Sequence, residues 1–185
     1  MKTTTYALFV GINQYEANVV IDRMATFPAL GGCVNDVRDV RDLLAKDASI
    51  DLKSMLLADH EATKANIVKA FEEHLGQAGP DDVVLFYYSG HGTVEQADTK
   101  IWTAESDGRL EGIVCYYTEG ESGKFLLSDK ELRYLLAELY AKTQAHIVTI
   151  FDCCHSGDNT REALGEPVIK KRPSFRGDFL TFPQR

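Results

Sequence analysis

The sequence predicts an α/β fold with a mainly parallel central sheet and helices on both faces. Short apolar segments alternate along the chain with longer segments whose apolar residues recur at helical spacing. The segment Val83–Tyr88 is a continuous apolar run, β-branched and aromatic, which is typical of a strand buried on both faces of a parallel sheet. The resulting order, in which strands alternate with helices, indicates parallel strands joined by helical crossovers.

The first half of the chain supplies two strands and two helices. The first strand is predicted at 6–12 and a short second strand at 53–57. Between them a helix is predicted in the segment that starts at Asn35, with Asn35 or Asp36 as its cap. Acidic residues in its first turn suit the positive end of the helix dipole. A second helix opens at Thr63 and ends before a Gly-Pro pair. The apolar residues of the first helix are Val37, Val40, Leu43 and Leu44.

The second half supplies the third helix and a further strand after the apolar run. Ser128 and Glu131 have the spacing of a capping box, which predicts the start of a helix with leucines on its inner face. A strand is predicted at 146–151. The segment 93–127 is rich in glycine and acids and is predicted to form loops with one or two short strands, including a strand or hairpin arm at 112–117.

Composition limits the classes of function. The 185 residues suit one domain, and the 44% hydrophobic and 26% charged residues match globular averages. A net charge of −8 argues against nucleic acid as a partner, because an acidic chain repels phosphate backbones. No apolar run approaches the ~20 residues of a membrane span. The N-terminus lacks a full signal-peptide pattern, so reduced thiols and a cytoplasmic location are expected.

Two unusual segments follow the strongest predicted strands, SGHGT at 89–93 and DCCHSG at 152–157. In parallel α/β sheets, ligands bind at the carboxyl ends of the strands. If the two strands are neighbours, His91 and Cys154 meet in one crevice. A thiol beside an imidazole is a minimal nucleophile–base pair, in which the imidazole favours the thiolate and later protonates a leaving amine. The N–H groups of Gly92 and Cys154 are expected to form an oxyanion hole.

Four motifs in this order carry a family resemblance: YALFVGINQY, GGCVNDVRDV, VVLFYYSGHGT and TIFDCCHSG, between residues 6 and 157. They resemble the caspase-like cysteine peptidases, and in particular the metacaspase and bacterial orthocaspase branch. The stretch around Cys154 differs from the Q-A-C-[RQG]-G signature of animal caspases. The resemblance implies a caspase-like three-layer sandwich. It also implies a catalytic domain at 1–160, equivalent to the large-subunit portion, and a flexible tail or processed linker at 161–185.

The resemblance also implies roles for individual residues. Cys154 is the implied nucleophile and His91 its partner, while Asp36 and Asp152 line the pocket for the residue before the cut. Two carboxylates bind Arg or Lys through charge and hydrogen bonds, and Arg can bind bidentately. The implied function is a cysteine endopeptidase that cuts after Arg or Lys, as a regulated stress, defence or cell-death protease with a regulatory or activating protein partner.

Other thiol chemistries fit the spacing poorly. A thiol phosphatase has five residues between its Cys and its Arg, in the pattern C-x5-R. Six residues separate Cys154 from Arg161, so this sequence does not match that pattern. Zinc sites and redox dithiols need spaced cysteine pairs. Cys153 is expected to face the core, because neighbours on a strand point to opposite sides. Cys33 and Cys115 are expected to be core or surface thiols. A catalytically silent caspase-like scaffold or regulatory module remains the alternative function, because an intact pair does not prove turnover.

Further partners follow from the resemblance. Caspase-like domains continue past the nucleophile strand into a small-subunit portion, which is expected here on another chain. A peptidase that cuts after Arg or Lys would leave Arg185 as a last residue by self-cleavage. The alternative is that Arg185 is an arbitrary chain end. Metacaspases often need calcium, so calcium is an open cofactor here. No EF-hand spacing occurs, and no metal site is assigned.

Overall fold

The structure, a computed structural model, describes residues 2–15, 27–96, 109–117 and 125–153. In chain order its elements are β1 (Thr3–Gly11), α1 (Cys33–Lys46), β2 (Ile50–Ala58), α2 (Lys64–Glu73), β3 (Val83–Ser89), β4 (Gly92–Gln96), β5 (Arg109–Val114), β6 (Leu126–Ser128), α3 (Asp129–Thr143) and β7 (His146–Asp152). Single turns of 3-10 helix lie at Asp59–Glu61 and Leu75–Gln77. Within the described ranges, no helix is long and apolar enough to cross a membrane.

A four-stranded parallel sheet forms the centre of the fold, in the order β2-β1-β3-β7. The register pairs Gly11 of β1 with Ser89 of β3, and Ser89 with Asp152 of β7. The carboxyl ends of these three strands therefore meet at one edge of the sheet. The sequence-based prediction of a parallel sheet is confirmed, and its four strands lie close to their predicted positions.

Helices cover both faces of this sheet, as predicted. Successive residues of a strand point to opposite faces, so each central strand contributes to two separate layers. On one face the sheet packs against α1, and on the other it packs against α2 and α3. The α1 layer contains Ala7, Phe9, Val37, Leu85 and Tyr87, whereas the opposite layer contains Leu8, Val10, Ile67, Phe71, Phe86 and Leu135. The arrangement is a three-layer α/β/α sandwich.

The inner face of α1 is narrower than predicted. Val37 is fully buried, and Val40 and Leu44 pack against the same layer. Leu43, which the helical spacing placed in this set, is 68% exposed. At 3.6 residues per turn, Leu43 lies beside the buried stripe rather than on it.

The predicted cap of α1 is wrong. The helix begins at Cys33 after Gly32, so Asn35 and Asp36 lie in its first turn instead of capping it. Gly32, at the N-cap position, has no side chain that could cap the helix. Instead, the N–H of Val34 donates to the side-chain oxygen of Asn13 at 3.4 Å. The cap is thus partly supplied by the loop after β1, 21 residues away in sequence. No local pattern could reveal a partner at that separation.

Three short strands form a second, antiparallel sheet in the order β4-β5-β6. The prediction for 93–127 anticipated one or two short strands there, and it missed β4 and β6. The strand expected at 112–117 corresponds to β5, which starts earlier. The N–H of Val114 donates to the carbonyl of His91 at 2.9 Å, so this sheet supports the segment that follows β3.

The predicted starts of α2 and α3 are confirmed. Thr63 accepts a hydrogen bond from the N–H of Asn66 at 3.2 Å, and Ser128 forms a capping box with Glu131. Glu131 also pairs with Lys64, whose Nζ lies 2.7 and 2.9 Å from the two carboxylate oxygens. Both side chains are buried, with 1% and 8% of their surface exposed. This ion pair connects the first turns of the two helices across the core.

We expect Glu131→Gln to lower the free energy of unfolding by about 3–5 kcal/mol, because Lys64 would remain charged and buried without its counter-charge. Urea denaturation would show the loss as a lower midpoint at an unchanged slope. Glu73→Gln is the matched control, since Glu73 pairs with Lys69 at the surface at 3.7 Å. The control should change stability by less than about 0.5 kcal/mol. A loss below about 1 kcal/mol for Glu131→Gln would contradict the role of this pair.

Candidate active site

The two segments singled out in the sequence run on from neighbouring strands. β3 and β7 pair in parallel, and the N–H of Gly90 donates to the carbonyl of Asp152 at 3.3 Å. His91 therefore lies just beyond the paired ends, beside the end of β7. Cys154 follows Cys153 directly and lies outside the described residues, as does Arg185. The two strands are neighbours, which is the condition under which His91 and Cys154 were expected to meet in one crevice.

The imidazole of His91 is oriented by a main-chain carbonyl. Its Nε2 lies 2.8 Å from the carbonyl oxygen of Pro28, in the segment that precedes α1. A carbonyl oxygen only accepts hydrogen bonds, so Nε2 carries the proton and donates it to Pro28. In the neutral ring the lone pair is then on Nδ1, which is the nitrogen available to act as a base.

Two aromatic rings lie against the same imidazole. The Tyr15 ring centroid is 4.8 Å from that of His91, and the Phe27 centroid is 5.5 Å away. Tyr15, Phe27 and Pro28 were not predicted from the sequence as site residues. The only sequence signal was that Tyr15 ends the YALFVGINQY motif, because the contacts themselves join loops far apart in the chain.

Asp36 and Asp152 both lie close enough to Tyr87 to affect its hydroxyl. Burial raises the pKa of the Tyr87 hydroxyl above its usual value, and the charges of Asp152 and then Asp36 raise it further. Both carboxylates are exposed on the α1 side of the sheet. This pair can attract a cationic side chain, which is the chemistry expected of a pocket for Arg or Lys.

The close packing of α1 on β1 positions Asp36. A Cβ at Gly11 would lie 2.7 Å from Cγ2 of Val37 and 2.9 Å from the carbonyl oxygen of Cys33. Only glycine therefore permits this approach between the end of β1 and the first turn of α1. The approach holds Asp36 over the carboxyl edge of the sheet.

Ser89 is a further polar residue that sequence analysis did not single out. It is the last residue of β3 and its side chain is buried. Its hydroxyl lies 3.4 Å from Oδ2 of Asp152, to which it donates a long hydrogen bond. Since a buried hydroxyl at the end of an apolar strand needs a partner, the change from apolar to polar at position 89 was the available signal.

The other thiols are placed as expected for core residues. Cys33 and Cys115 are buried, and burial raises the pKa of the Cys115 thiol to about 12. The thiol of Cys115 is thus protonated at neutral pH and a weak nucleophile. Cys153 and Phe151 pack against the α2–α3 layer, whereas Asp152 lies on the α1 side. The alternation predicted for this strand end therefore extends to Cys153.

Gly92 is the first residue of β4 and pairs with Ile113 of β5. The expected oxyanion hole combines its N–H with that of Cys154, which lies outside the described residues. Among the described residues, no three His, Cys, Asp or Glu side chains are grouped as a metal site.

Comparison with known proteins identifies relatives of this chain. Residues 5–161 match the family described as metacaspase, peptidase C14 domain. Metacaspase-2 of Trypanosoma brucei brucei is 32% identical over 162 residues, covering 83% of this chain and 42% of that protein. Metacaspase-3 of Trypanosoma cruzi is 34% identical over 162 residues, covering 83% and 40%. Metacaspase-1 of Candida albicans is 32% identical over 184 residues, covering 89% and 38%.

A solved structure, protein GSU0716 of Geobacter sulfurreducens, is similar with a TM-score of 0.61 at 25% identity, covering 84% of this chain and 52% of that chain. The chain spans about two-fifths of the length of the curated relatives it matches.

Proposed function

The chain belongs to the metacaspase family of the peptidase C14 domain, and from that premise we propose that it is the nucleophile-bearing part of an endopeptidase that cuts after Arg or Lys. The observation that carries the proposal is the register of β3 and β7, in which Ser89 pairs with Asp152. Because of this register, the segment with His91 and the segment with Cys154 continue from adjacent strand ends.

In the proposed mechanism, Nδ1 of His91 takes the proton of the Cys154 thiol. The thiolate attacks the carbonyl carbon of the scissile bond, and the N–H groups of Gly92 and Cys154 bind the resulting oxyanion. The imidazolium then protonates the leaving amine, the C–N bond breaks and a thioester remains. Water, deprotonated by His91, attacks the thioester, and the acid product leaves as the thiol is restored. The Nε2–H···O=C bond to Pro28 supports this tautomer throughout.

The proposed specificity depends on the two carboxylates near Tyr87. Asp36 and Asp152 would bind the guanidinium or ammonium group of the residue before the cut, and Ser89 supports the Asp152 carboxylate through its hydroxyl. An acidic side chain in the same position would be repelled by both charges.

The proposal includes a further part of the peptidase, a small-subunit portion. β7 is the last strand of the four-stranded sheet, with β3 as its described neighbour on one side. Ile150 of β7 and Tyr140 of α3 are 42% and 54% exposed. A strand from a small-subunit portion, on another chain, would pair with the edge of β7 that has no neighbour among the described strands, and would cover these side chains.

The same proposal makes the whole protein a regulated protease of stress, defence or cell death that acts in the cytoplasm. It would respond to an activating protein or to calcium.

We expect the full-length protein to cleave fluorogenic peptides with Arg or Lys before the cut with a kcat/KM about 100-fold higher than for matched Asp peptides, since two charged hydrogen bonds are replaced by repulsion. The assay is run with and without calcium. Cleavage after Asp would contradict the roles of Asp36 and Asp152. If no peptide is cleaved with or without calcium, and the Cys154 thiol reacts no faster than an ordinary cysteine, the result would instead favour the catalytically silent scaffold.

A further inference from the structure

A pair of tyrosine hydroxyls contacts the main chain of His91. The N–H of His91 donates to the Tyr15 hydroxyl at 2.9 Å. The Tyr88 hydroxyl lies 2.7 Å from the carbonyl of His91 and 2.9 Å from that of Val114, so its proton is shared between two acceptors. The two hydroxyls are also close enough for each to shift the pKa of the other. Both main-chain polar groups of His91 are thus bonded to phenol oxygens.

The two hydroxyls leave no space beside the preceding residue. A Cβ at Gly90 would lie 2.5 Å from the Tyr88 hydroxyl and 2.7 Å from the Tyr15 hydroxyl. The main chain at Gly90 is therefore packed directly against both oxygens. Displacement of either hydroxyl would allow the segment from Ser89 to His91 to shift.

The hydroxyls remain neutral at ordinary pH. Burial raises the pKa of Tyr15 and of Tyr88 well above the usual value. The thiols of Cys33 and Cys115 raise the pKa of Tyr15 further, those of Cys115 and Cys153 raise that of Tyr88, and the imidazole of His91 also lies against the Tyr15 ring. Since neither phenol ionises near neutral pH, the hydrogen bonds to His91 persist across the working range of a peptidase.

We propose that Tyr15 is a positioning residue for His91, a role that rests on the proposed function. Its hydroxyl fixes the main chain of His91, while its ring, together with Phe27, fixes the plane of the imidazole. The imidazole is thereby held with Nε2 on the Pro28 carbonyl and Nδ1 free to accept the thiol proton. Phenylalanine would fill the same ring volume, so the hydroxyl serves the orientation of His91 rather than the packing of the core.

The test is Tyr15→Phe in the full-length protein. We expect kcat for an Arg peptide to fall about tenfold, the equivalent of one lost hydrogen bond, with KM changed less than twofold. A second readout does not require turnover. The alkylation rate of Cys154 by iodoacetamide, measured by mass spectrometry in a Cys153→Ala background, should fall about tenfold at pH 6. At pH 9.5 it should stay unchanged, because the thiol ionises there without help from the imidazole.

Tyr6→Phe is the matched control, since Tyr6 lies in the first half of β1, away from the carboxyl edge of the sheet, with its ring centroid 6.0 Å from that of His74. It should leave kcat and both alkylation rates unchanged. Equal losses at the two pH values in Tyr15→Phe, or no loss at either, would overturn the positioning role. His91→Ala distinguishes the two proposals. If His91→Ala lowers alkylation at pH 6 while the wild-type protein cleaves no peptide, the peptidase proposal fails and the effect of Tyr15 on the pair is still measured. If His91→Ala has no effect on alkylation, the positioning role is wrong.

Discussion

Replacement of Cys154 by Ala is expected to reduce kcat/KM for an Arg peptide by about 10⁴-fold or more. Removal of the nucleophile eliminates the thioester route, and His91 then has no group to deprotonate except water. Cys153→Ala is the matched control, because the two thiols are adjacent in sequence but Cys153 packs against the α2–α3 layer. The control should retain activity within a few-fold and lose only a small amount of stability.

Steady-state assays on the full-length protein, with both variants purified in parallel, check this expectation. The reverse pattern, in which Cys153→Ala is inactive and Cys154→Ala is active, would show that the nucleophile has been assigned to the wrong thiol. Equal activity of all three proteins would remove the cysteine mechanism altogether and leave the scaffold function.

The two inner strands of the central sheet, β1 and β3, could be predicted from the sequence because they are largely buried on both faces. β3 reads as a continuous apolar run, and burial of this kind leaves a strong local signal. β4 and β6 leave none, since β6 has three residues and β4 combines glycine with polar residues. Their pairing with β5 joins residues that are 12 or more positions apart, such as Val114 and Leu126, and a short window of local sequence does not report it.

The same distinction applies to the helix starts. The cap of α3 was predictable because Ser128 and Glu131 are three residues apart and satisfy each other's neighbouring N–H groups. The start of α1 was not, because the amide oxygen of Asn13 approaches the Val34 N–H from the loop after β1. A helix that receives its cap through tertiary structure lacks a capping pattern in its own sequence.

At the candidate site, the candidate catalytic and acidic residues could be predicted from the sequence, whereas the residues that contact and orient them could not. His91 and Asp152 stand in unusual motifs at strand ends, so their placement at one edge of the sheet followed from the topology. Tyr15, Pro28 and Ser89 act through their contacts with those residues, and two of the contacts are main-chain bonds. Main-chain carbonyls and N–H groups are the same in every residue, so sequence carries no sign of them.

Neutralising the candidate specificity pocket should have the second-largest effect. We expect Asp36→Asn and Asp152→Asn each to lower kcat/KM for an Arg peptide by about 10- to 100-fold, because each removes a charged hydrogen bond. The double variant should lose about 10³-fold, with less than full additivity, since both carboxylates contact one guanidinium. Asp39→Asn is the matched control on the same helix, and it should remain within twofold.

A citrulline peptide makes the test specific to charge, because citrulline has the shape of arginine without its charge. The wild-type protein should cleave the citrulline peptide poorly. The double variant should cleave it about as well as the wild type does, because citrulline has no positive charge for the two carboxylates to bind. If the double variant lost equal activity on Arg and citrulline peptides, Asp36 and Asp152 would support the catalytic segment rather than select the substrate. Since Asp152 accepts from Ser89 and its carbonyl accepts from Gly90, that outcome would assign it a structural role beside His91.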